Sequence, residues 1–431
     1  MNTTAKRWGH AIPVLFFSTA ALYPSLRVLW LGSRTASGFA EILFSVTPDL
    51  LLIGFFLAAA AHKYDEVQRG ETPWWKTLNP VDKSVALFLL FNVVYGLILG
   101  ADPLLAAYSI RLTYLPVLMF FGARWLYSTE AHERLNAFVA GLMLVLAVIG
   151  LVLYFFFPET VEAMMRAGNY FQSVYFVPRL TSLFWNPIMY ASVAGLGVLC
   201  FFSSYLQSGN SRWLLPMYAV LLSLFLSVSR GGIWSCLIAS LLLVVVTQKW
   251  RRGSFVYLQL AVVFGVAWSV PYLHEILVWF IESTRNTLDG EGSVSRVVLW
   301  QRSWRDFLDK PFGFGLGKAG HVAYRFLLDS DVRAAVWSTD GWYFKMANET
   351  GIPGLVTIVI LFVTAALFFI RRFKVLASLS SVWLTGAVLF VAVQCVVSNV
   401  LDFFFVAPLF WFLFGLLIND VERHERKQAN R

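Results

Sequence analysis

Charge is scarce in this sequence. Asp, Glu, Lys and Arg together make up 14% of 431 residues, against 58% hydrophobic residues and a mean hydropathy of +0.67. A water-soluble domain carries about 25% charged residues, so water alone cannot solvate this surface and a lipid bilayer has to. Cysteine is scarcer still: Cys200, Cys236 and Cys395, each inside an apolar segment. They read as small core residues, with neither a disulfide framework nor a zinc spacing. A nucleotide-binding signature, a low-complexity tract and an internal repeat are all missing. The excess of +9 charge is spread along the chain and not gathered in a tail, so nothing points to a nucleic-acid partner. The first apolar run, from near His10, lacks a clear small-residue cleavage site and reads as a retained membrane helix, not a signal peptide.

What is present is a series of apolar runs near the spanning length of about 20 residues. They fall at 11–32, 36–61, 84–100, 104–122, 135–157, 183–205, 213–229, 232–247, 254–273, 352–370, 376–398 and 402–419. The expectation is an all-α polytopic membrane protein of about twelve transmembrane helices. It divides into helices 1–9 over residues 1–273, a large loop over 274–351, helices 10–12 over 352–420 and a tail over 421–431. The Ser229-Arg230-Gly231-Gly232 break separates the seventh and eighth helices. With the N-terminus inside (Lys6, Arg7), the inside connections carry Lys63, Arg69, Lys76, Lys83, Arg124, Arg134, Arg212, Lys249, Arg251, Arg252, Arg371, Arg372 and Lys374. The tail adds Arg423, Arg426, Lys427 and Arg431, whereas the short outside loops carry almost no basic residue besides Arg34. This bias fits a cytoplasmic location for both termini.

By that topology Arg230, Arg179 and Arg111 lie near the outer end of their helices. An intramembrane charge costs about 2.5–3.5 kcal/mol on insertion scales and tends to face an interior cavity; the plain alternative is an arginine snorkelling to lipid headgroups. Arginine makes bidentate contacts with phosphate and stays charged in apolar surroundings, so the set suggests an anionic headgroup, a phosphate or diphosphate, at the interface. Gly231 and Gly232 leave room for another group to approach the backbone. Arg27 and Asp49, in the first two helices, are structural, and a pairing between them is a guess.

In the large outer segment, "GSVSRVVLWQRSWRDFLDKPFGFGLGKAG" reads as an amphipathic helix and a glycine turn. Val297, Trp300, Trp304, Phe307 and Leu308 would form its apolar face, and Arg302 with Asp306 and Arg305 with Asp309 ordinary surface pairs. Pro311 ends it, and "GFGLG" is a tight turn against the membrane surface, since no Lys-Thr follows to make a phosphate loop. Arg296, at the helix start, either joins the other arginines or is plainly solvated. Asp340, in "STDGWYFKMANETGIPGL", is a candidate general base or a helix N-cap. "DSD" at 329–331 reads as a solvated turn, and His274 and His321 have no partner at ligand spacing.

Four stretches in order resemble the O-antigen ligase and O-antigen polymerase family of bacterial inner-membrane glycosyltransferases, the GT-C type. They are "RLTSLFWNPIMYASVAG" (179–195), "SVSRGGIW" (227–234), "SRVVLWQRSWRDFLDKPFGFGLG" (295–317) and "TDGWYFKMANETGIPGL" (339–355). The resemblance covers about residues 100–420. It implies a GT-C-like fold whose large helical loop and active site face the periplasm. It also implies a glycan donor on undecaprenyl diphosphate, transferred without nucleotide sugar, obligatory metal or other cofactor. The acceptor would be a second glycan or lipid A core, with membrane lipids, a flippase and a chain-length regulator as further partners. Carried over by motif, Arg230 and Arg179 would hold the diphosphate, helped by Arg296 and by Arg111, which topology alone assigns; Arg230 and Asp340 would be catalytic. Ligases typically have His-Asn where this chain has Asp340-Gly341, and an acidic residue there is more familiar among polymerases of O-antigen, capsule or exopolysaccharide. The expectation is therefore a polymerase, with a ligase as alternative. A polysaccharide or lipid transporter is the alternative of another class; against it stand the long outer segment and the lack of evident broken helices. An inactive scaffold would not need three outer-face arginines.

Overall fold

In the computed structural model, the described residues are 13–22, 39–68, 78–100, 102–126, 129–167, 178–271, parts of 274–285, 296–320, 322–323, 340–378 and 381–429. Lys6, Arg7, Arg27, Arg34, Arg69, Lys76, His321, the "DSD" at 329–331 and Arg431 lie outside them. Among the described residues every regular element is helical. In chain order the helices are α1 (Pro13–Leu22), α2 (Phe39–Gln68), α3 (Pro80–Ile98), α4 (Pro103–Ser109) and α5 (Leu118–Leu126). They continue with α6 (Thr129–Phe156), α7 (Pro158–Ala167), α8 (Pro187–Ser208), α9 (Leu214–Leu226), α10 (Arg230–Thr247) and α11 (Trp250–Ser269). The last are α12 (Arg296–Asp309), α13 (Trp342–Arg371), α14 (Phe373–Ser378), α15 (Trp383–Val397) and α16 (Val406–Ala429).

Among the described residues, seven helical segments are long and apolar enough to cross a membrane: Val46–Asp65, Pro80–Ile98, Pro103–Trp125, Ala137–Phe156, Pro187–Ser208, Arg230–Thr247 and Trp342–Arg371. The chain is an all-α polytopic membrane protein. Three shorter apolar helices, Pro13–Leu22, Ser211–Leu226 and Trp383–Val397, coincide with further expected spans. The runs expected at 254–273 and 402–419 fall on α11 and α16.

Local chemistry fixes several helix starts. Asn79-Pro80, Asp102-Pro103 and Asn186-Pro187 share one device: the polar side chain accepts from the first backbone N–H groups, and proline fills the next position, where no N–H partner is needed. At Asn79 it becomes a full capping box with Asp82. Asp82 also receives both sides of the Arg124 guanidinium at 2.8 Å, and Arg124 reaches Glu422 at 3.0 Å, which ties α3, α5 and α16 at one end of the bundle. The helix at the centre is α8, buried along most of its length against α9, α10 and α15.

Several backbone interruptions meet inside the bundle. The span Pro103–Trp125 passes through a π-helical turn (Ile110–Tyr114) and a 3-10 turn (Leu115–Val117). Between α15 and α16 the chain runs through the 3-10 turn Val400–Asp402. The long α13 is two helices broken at Gly351 (φ 62°, ψ −159°), with Pro353 following. In a straight helix Tyr343 and Phe362 would stand about 28 Å apart at 1.5 Å per residue, yet their rings are 5.8 Å apart. The first half of α13 therefore folds back along the second, and its Trp342 rests on Phe88, midway along α3. The tenth span was expected from residue 352, and its second half begins there. The first half is a re-entrant segment, not legible as such in the sequence. Broken helices were not evident in the sequence, and these interruptions remove that argument against a carrier. Irregular backbone at such depth is tolerated only where protein or a cavity surrounds it.

Candidate functional site: a recessed arginine cluster

The cluster is built at the Ser229 break. α9 ends at Leu226, Val228 turns with φ 51°, and Arg230 opens α10. Arg179 staples this turn: its Nε donates to the Ser227 carbonyl at 3.0 Å and its Nη2 to the Val228 carbonyl at 3.3 Å. The backbone two residues before Arg230 is thus held by a second arginine, and Leu180 N–H bonds the Leu226 carbonyl at 2.9 Å beside it.

The two glycines after Arg230 have a different use from the one expected. A Cβ at Gly231 would stand 2.8 Å from Val397 Cγ2 of α15, and one at Gly232 would stand 2.9 Å from Ala191 Cβ of α8. Neighbouring helices, not an open approach for a headgroup, fill the space. This close packing also brings Arg296 in: its Nη1 lies 3.9 Å from the Cβ position of Gly231 and donates to the Val397 carbonyl at 2.5 Å.

Arg296 opens α12 and pairs through Nε with Asp340 Oδ2 at 3.3 Å; their side chains are 24% and 28% exposed, so the pair is recessed but reachable. Trp300, one turn along α12, donates its indole N–H to the Asp340 carbonyl at 2.7 Å and stacks on Phe344. Asp340 is not a helix N-cap: Gly341 occupies that position with φ 123° and without a side-chain cap bond. The amphipathic face expected for α12 is divided, Phe307 being buried while Trp304 and Leu308 are exposed. The turn after α12, expected against the membrane surface, docks on the break in α13. Phe314 N–H bonds the Asn348 carbonyl at 2.7 Å, Gly315 N–H the Glu349 carbonyl at 3.0 Å, and Ile352 N–H the Pro311 carbonyl at 2.8 Å.

Arg230, Arg179, Arg296 and Asp340 are thus linked through one turn and one ion pair. Arg111 is placed differently. It lies in the π-helical turn and pairs with Asp49 at 2.7 Å. The pair borders a small pocket that also touches Phe16, Pro48 and Phe404, and none of the other four residues lines it. Asp49 is paired with Arg111; Arg27, its guessed partner, lies outside the described residues.

A second charged group was missed in the sequence. Lys345, on the re-entrant half of α13, is wholly buried and donates to Asp402 Oδ1 at 2.8 Å and to Thr113 Oγ1 at 2.6 Å. Glu349 stands 3.8 Å from the same ammonium and accepts from Gly317 N–H at 2.9 Å and Ser109 Oγ at 3.2 Å. This network joins all three interrupted backbones. The signal was there: Lys345 and Glu349 in "FKMANETG" and Asp402 in "VLDFFF" are charges flanked by apolar runs.

The arrangement offers cationic groups beside one carboxylate in a recess at the end of α10 and α15, able to hold a polyanion next to a group that accepts a proton. Residues 215–359 match the family model described as O-Antigen ligase. No curated protein matches the chain. The matched stretch holds Arg230, Arg296, Asp340, Lys345 and Glu349, whereas Arg179 and Arg111 precede it. The similarity to the O-antigen ligase family thus covers residues 215–359 and takes in Arg230, Arg296 and Asp340 of the cluster.

Proposed function

We propose that the protein is a GT-C-type, metal-independent glycosyltransferase of the bacterial inner membrane. It moves a glycan from undecaprenyl diphosphate, at the periplasmic face, onto the end of another glycan, as a repeat-unit polymerase of O-antigen, capsule or exopolysaccharide. The observation that carries this reading is the pairing of Arg296 with Asp340 beside Arg230, inside the family-matched stretch. Arg230 and Arg296 hold the diphosphate, and Arg179 holds the turn that presents Arg230. The acceptor hydroxyl oxygen bonds to the anomeric carbon as the bond from that carbon to the diphosphate oxygen breaks. The bonding pair leaves with the lipid diphosphate, whose charge the guanidinium groups stabilise, and the hydroxyl proton passes to the Asp340 carboxylate. Fixed charges aimed at a developing anion in a water-poor recess can supply the largest share of such catalysis. Asp340-Gly341, where ligases typically carry His-Asn, favours polymerase over transfer to lipid A core. Both termini lie in the cytoplasm, and a flippase and a chain-length regulator act before and beside the enzyme.

The test uses purified protein and a short glycan on undecaprenyl diphosphate, with products separated on a gel beside Arg230→Ala and Asp340→Ala. A ladder from the wild type that both variants lose supports the polymerase. A single transfer, made only when lipid A core is added, makes the protein a ligase. A carrier is the second reading, favoured by the interrupted helices and the buried Lys345–Asp402 pair. Movement of the lipid-linked glycan across proteoliposomes, with no new glycosidic bond, would establish it.

A further inference from the structure

α12 leaves an apolar ridge bare. Trp304 and Leu308 are 52% and 58% exposed, and Phe312, in the turn that follows, is 65% exposed. Ser303 and Phe307, on the neighbouring side of the helix, are buried, and Asn348 of α13 donates to the Ser303 carbonyl at 3.3 Å. At about 100° per residue, Trp304 and Leu308 lie within about 40° of each other, whereas Arg302 and Asp309, both exposed, lie about 140–160° round the axis from Trp304. The helix thus has one side on the protein, one apolar and uncovered, and one charged. A row of large exposed apolar side chains marks an interaction surface, and the neighbours of the turn show what it meets. Tyr95 donates its hydroxyl to the Phe312 carbonyl at 3.0 Å, and it lies only about 4.5 Å along the axis from the end of α3. Leu316 packs on the next residue, where a Cβ at Gly96 would stand 2.5 Å from its Cγ. Ile352, whose N–H bonds the Pro311 carbonyl at 2.8 Å, begins the second half of α13. Ile98 of α3 and Ile352 and Val356 of α13 are exposed apolar residues of membrane-crossing segments, and so face lipid. Phe312 therefore stands at the rim of the lipid-facing surface, and Leu308 and Trp304 continue that surface along α12.

We infer that α12 lies in the membrane interface, with Trp304, Leu308 and Phe312 immersed among the headgroups and upper acyl chains of the bilayer and with Arg302 and Asp309 in water. An aromatic and aliphatic side bordered by basic residues, here the exposed Arg305 and Lys310, suits an interfacial helix whose cations reach lipid phosphates. Arg296 and Trp300, which hold Asp340, stand on this same helix. The lipid surface thus fixes the depth of the recess, whatever reaction takes place there.

The test uses the full chain in vesicles of phosphatidylethanolamine and phosphatidylglycerol. p-Acetylphenylalanine replaces Trp304, Leu308 or Phe312 in turn, and Arg302 or Asp309 as controls, and a ketone-reactive nitroxide is coupled to it. The buried native cysteines stay in place, and all five positions are exposed, so the core is untouched. Electron paramagnetic resonance then compares collisions with oxygen, which concentrates in lipid, and with a nickel chelate, which stays in water. The ratio should place the labels at 304, 308 and 312 about 5–10 Å into the headgroup and acyl boundary and those at 302 and 309 in water. Water-like ratios at 304 and 308 overturn the inference. So does dipolar broadening between labels at 304, which would mean that a second copy of the chain covers the ridge, and so does shielding of 304 from both reagents, which would mean that another protein surface does. In a second measurement, Trp304→Asp with Leu308→Asp should move the label at 312 toward water, while Arg302→Asp leaves it in place. A label at 312 that stays in lipid in the double variant would show that α3 alone holds the turn there, and that the ridge anchors nothing.

Discussion

Arg230, Arg296 and Asp340 are few atoms in a large molecule, and each reads differently when removed. Arg230→Ala and Arg296→Ala each take a guanidinium from the leaving group, and kcat/KM for transfer should fall about 10²–10³-fold, as when one charge-stabilising donor is lost elsewhere. Melting temperature in detergent, measured alongside, separates lost activity from lost folding. Arg179→Ala should instead act through the Ser227–Val228 turn: lysine at 179, a cation without the planar fork, should restore less than half of the lost rate, because two carbonyls are bonded from two different nitrogens. Gly351→Ala is a structural counterpart. At φ +62° its Cβ would meet Pro311 O and Phe312 C at 2.4 Å, and a loss of about 1–3 kcal/mol should appear as a lower melting temperature. Arg179 and Arg230 stood out in the sequence because a charge in an apolar setting is costly, whereas Arg296 stayed open between that cluster and solvent, and Asp340 between a general base and a helix cap. That Arg179 spends its donors on backbone was not legible, since carbonyls leave no mark in a sequence. Neither was the pairing of Arg111 with Asp49, which depends on how α2 leans on the π-helical turn.

At the scale of elements, the re-entrant half of α13 is held by its Lys345. Lys345→Met leaves the buried Asp402 without its cation, and breaking a buried pair on one side costs about 3–5 kcal/mol. Thermal unfolding in detergent should show a large drop, and adding Asp402→Asn should return part of it by removing the stranded charge. If Lys345→Met melts like wild type, the pair does not hold the segment. The spans themselves were plain from apolar length, and the break at Ser229 from one arginine and two glycines. The fold-back at Gly351 was not, because "NETGIPGL" looks the same whether the chain turns into a membrane span from outside or from a segment already inside it. The reason for the two glycines after Arg230 was also misread, since only the packed partner shows whether a small residue admits a ligand or a helix.

The whole molecule makes a topological prediction that its composition renders easy to test. All three cysteines are buried, so a membrane-impermeant maleimide should ignore the native chain. Lys310→Cys, at the exposed end of α12, should label in intact spheroplasts, whereas Lys427→Cys, exposed near the end of α16, should label only after lysis. The reverse pattern would invert the orientation that the basic connections imply and carry the arginine recess to the cytoplasm.

Lys345 and Asp402 are separated by 57 residues of chain, and that interval sets an order of manufacture. When the ribosome has finished α13, the ammonium that steadies its first half has no carboxylate from the α15–α16 turn to meet. The re-entrant segment can settle only after α15 has been threaded and the turn behind it released. A nascent chain stopped just after Val397 should carry that segment undocked, open to protease at its approach, and become resistant once synthesis passes Asp402. The recess is thus completed late in synthesis, and a product that stops before Asp402 lacks the anchor of its re-entrant segment.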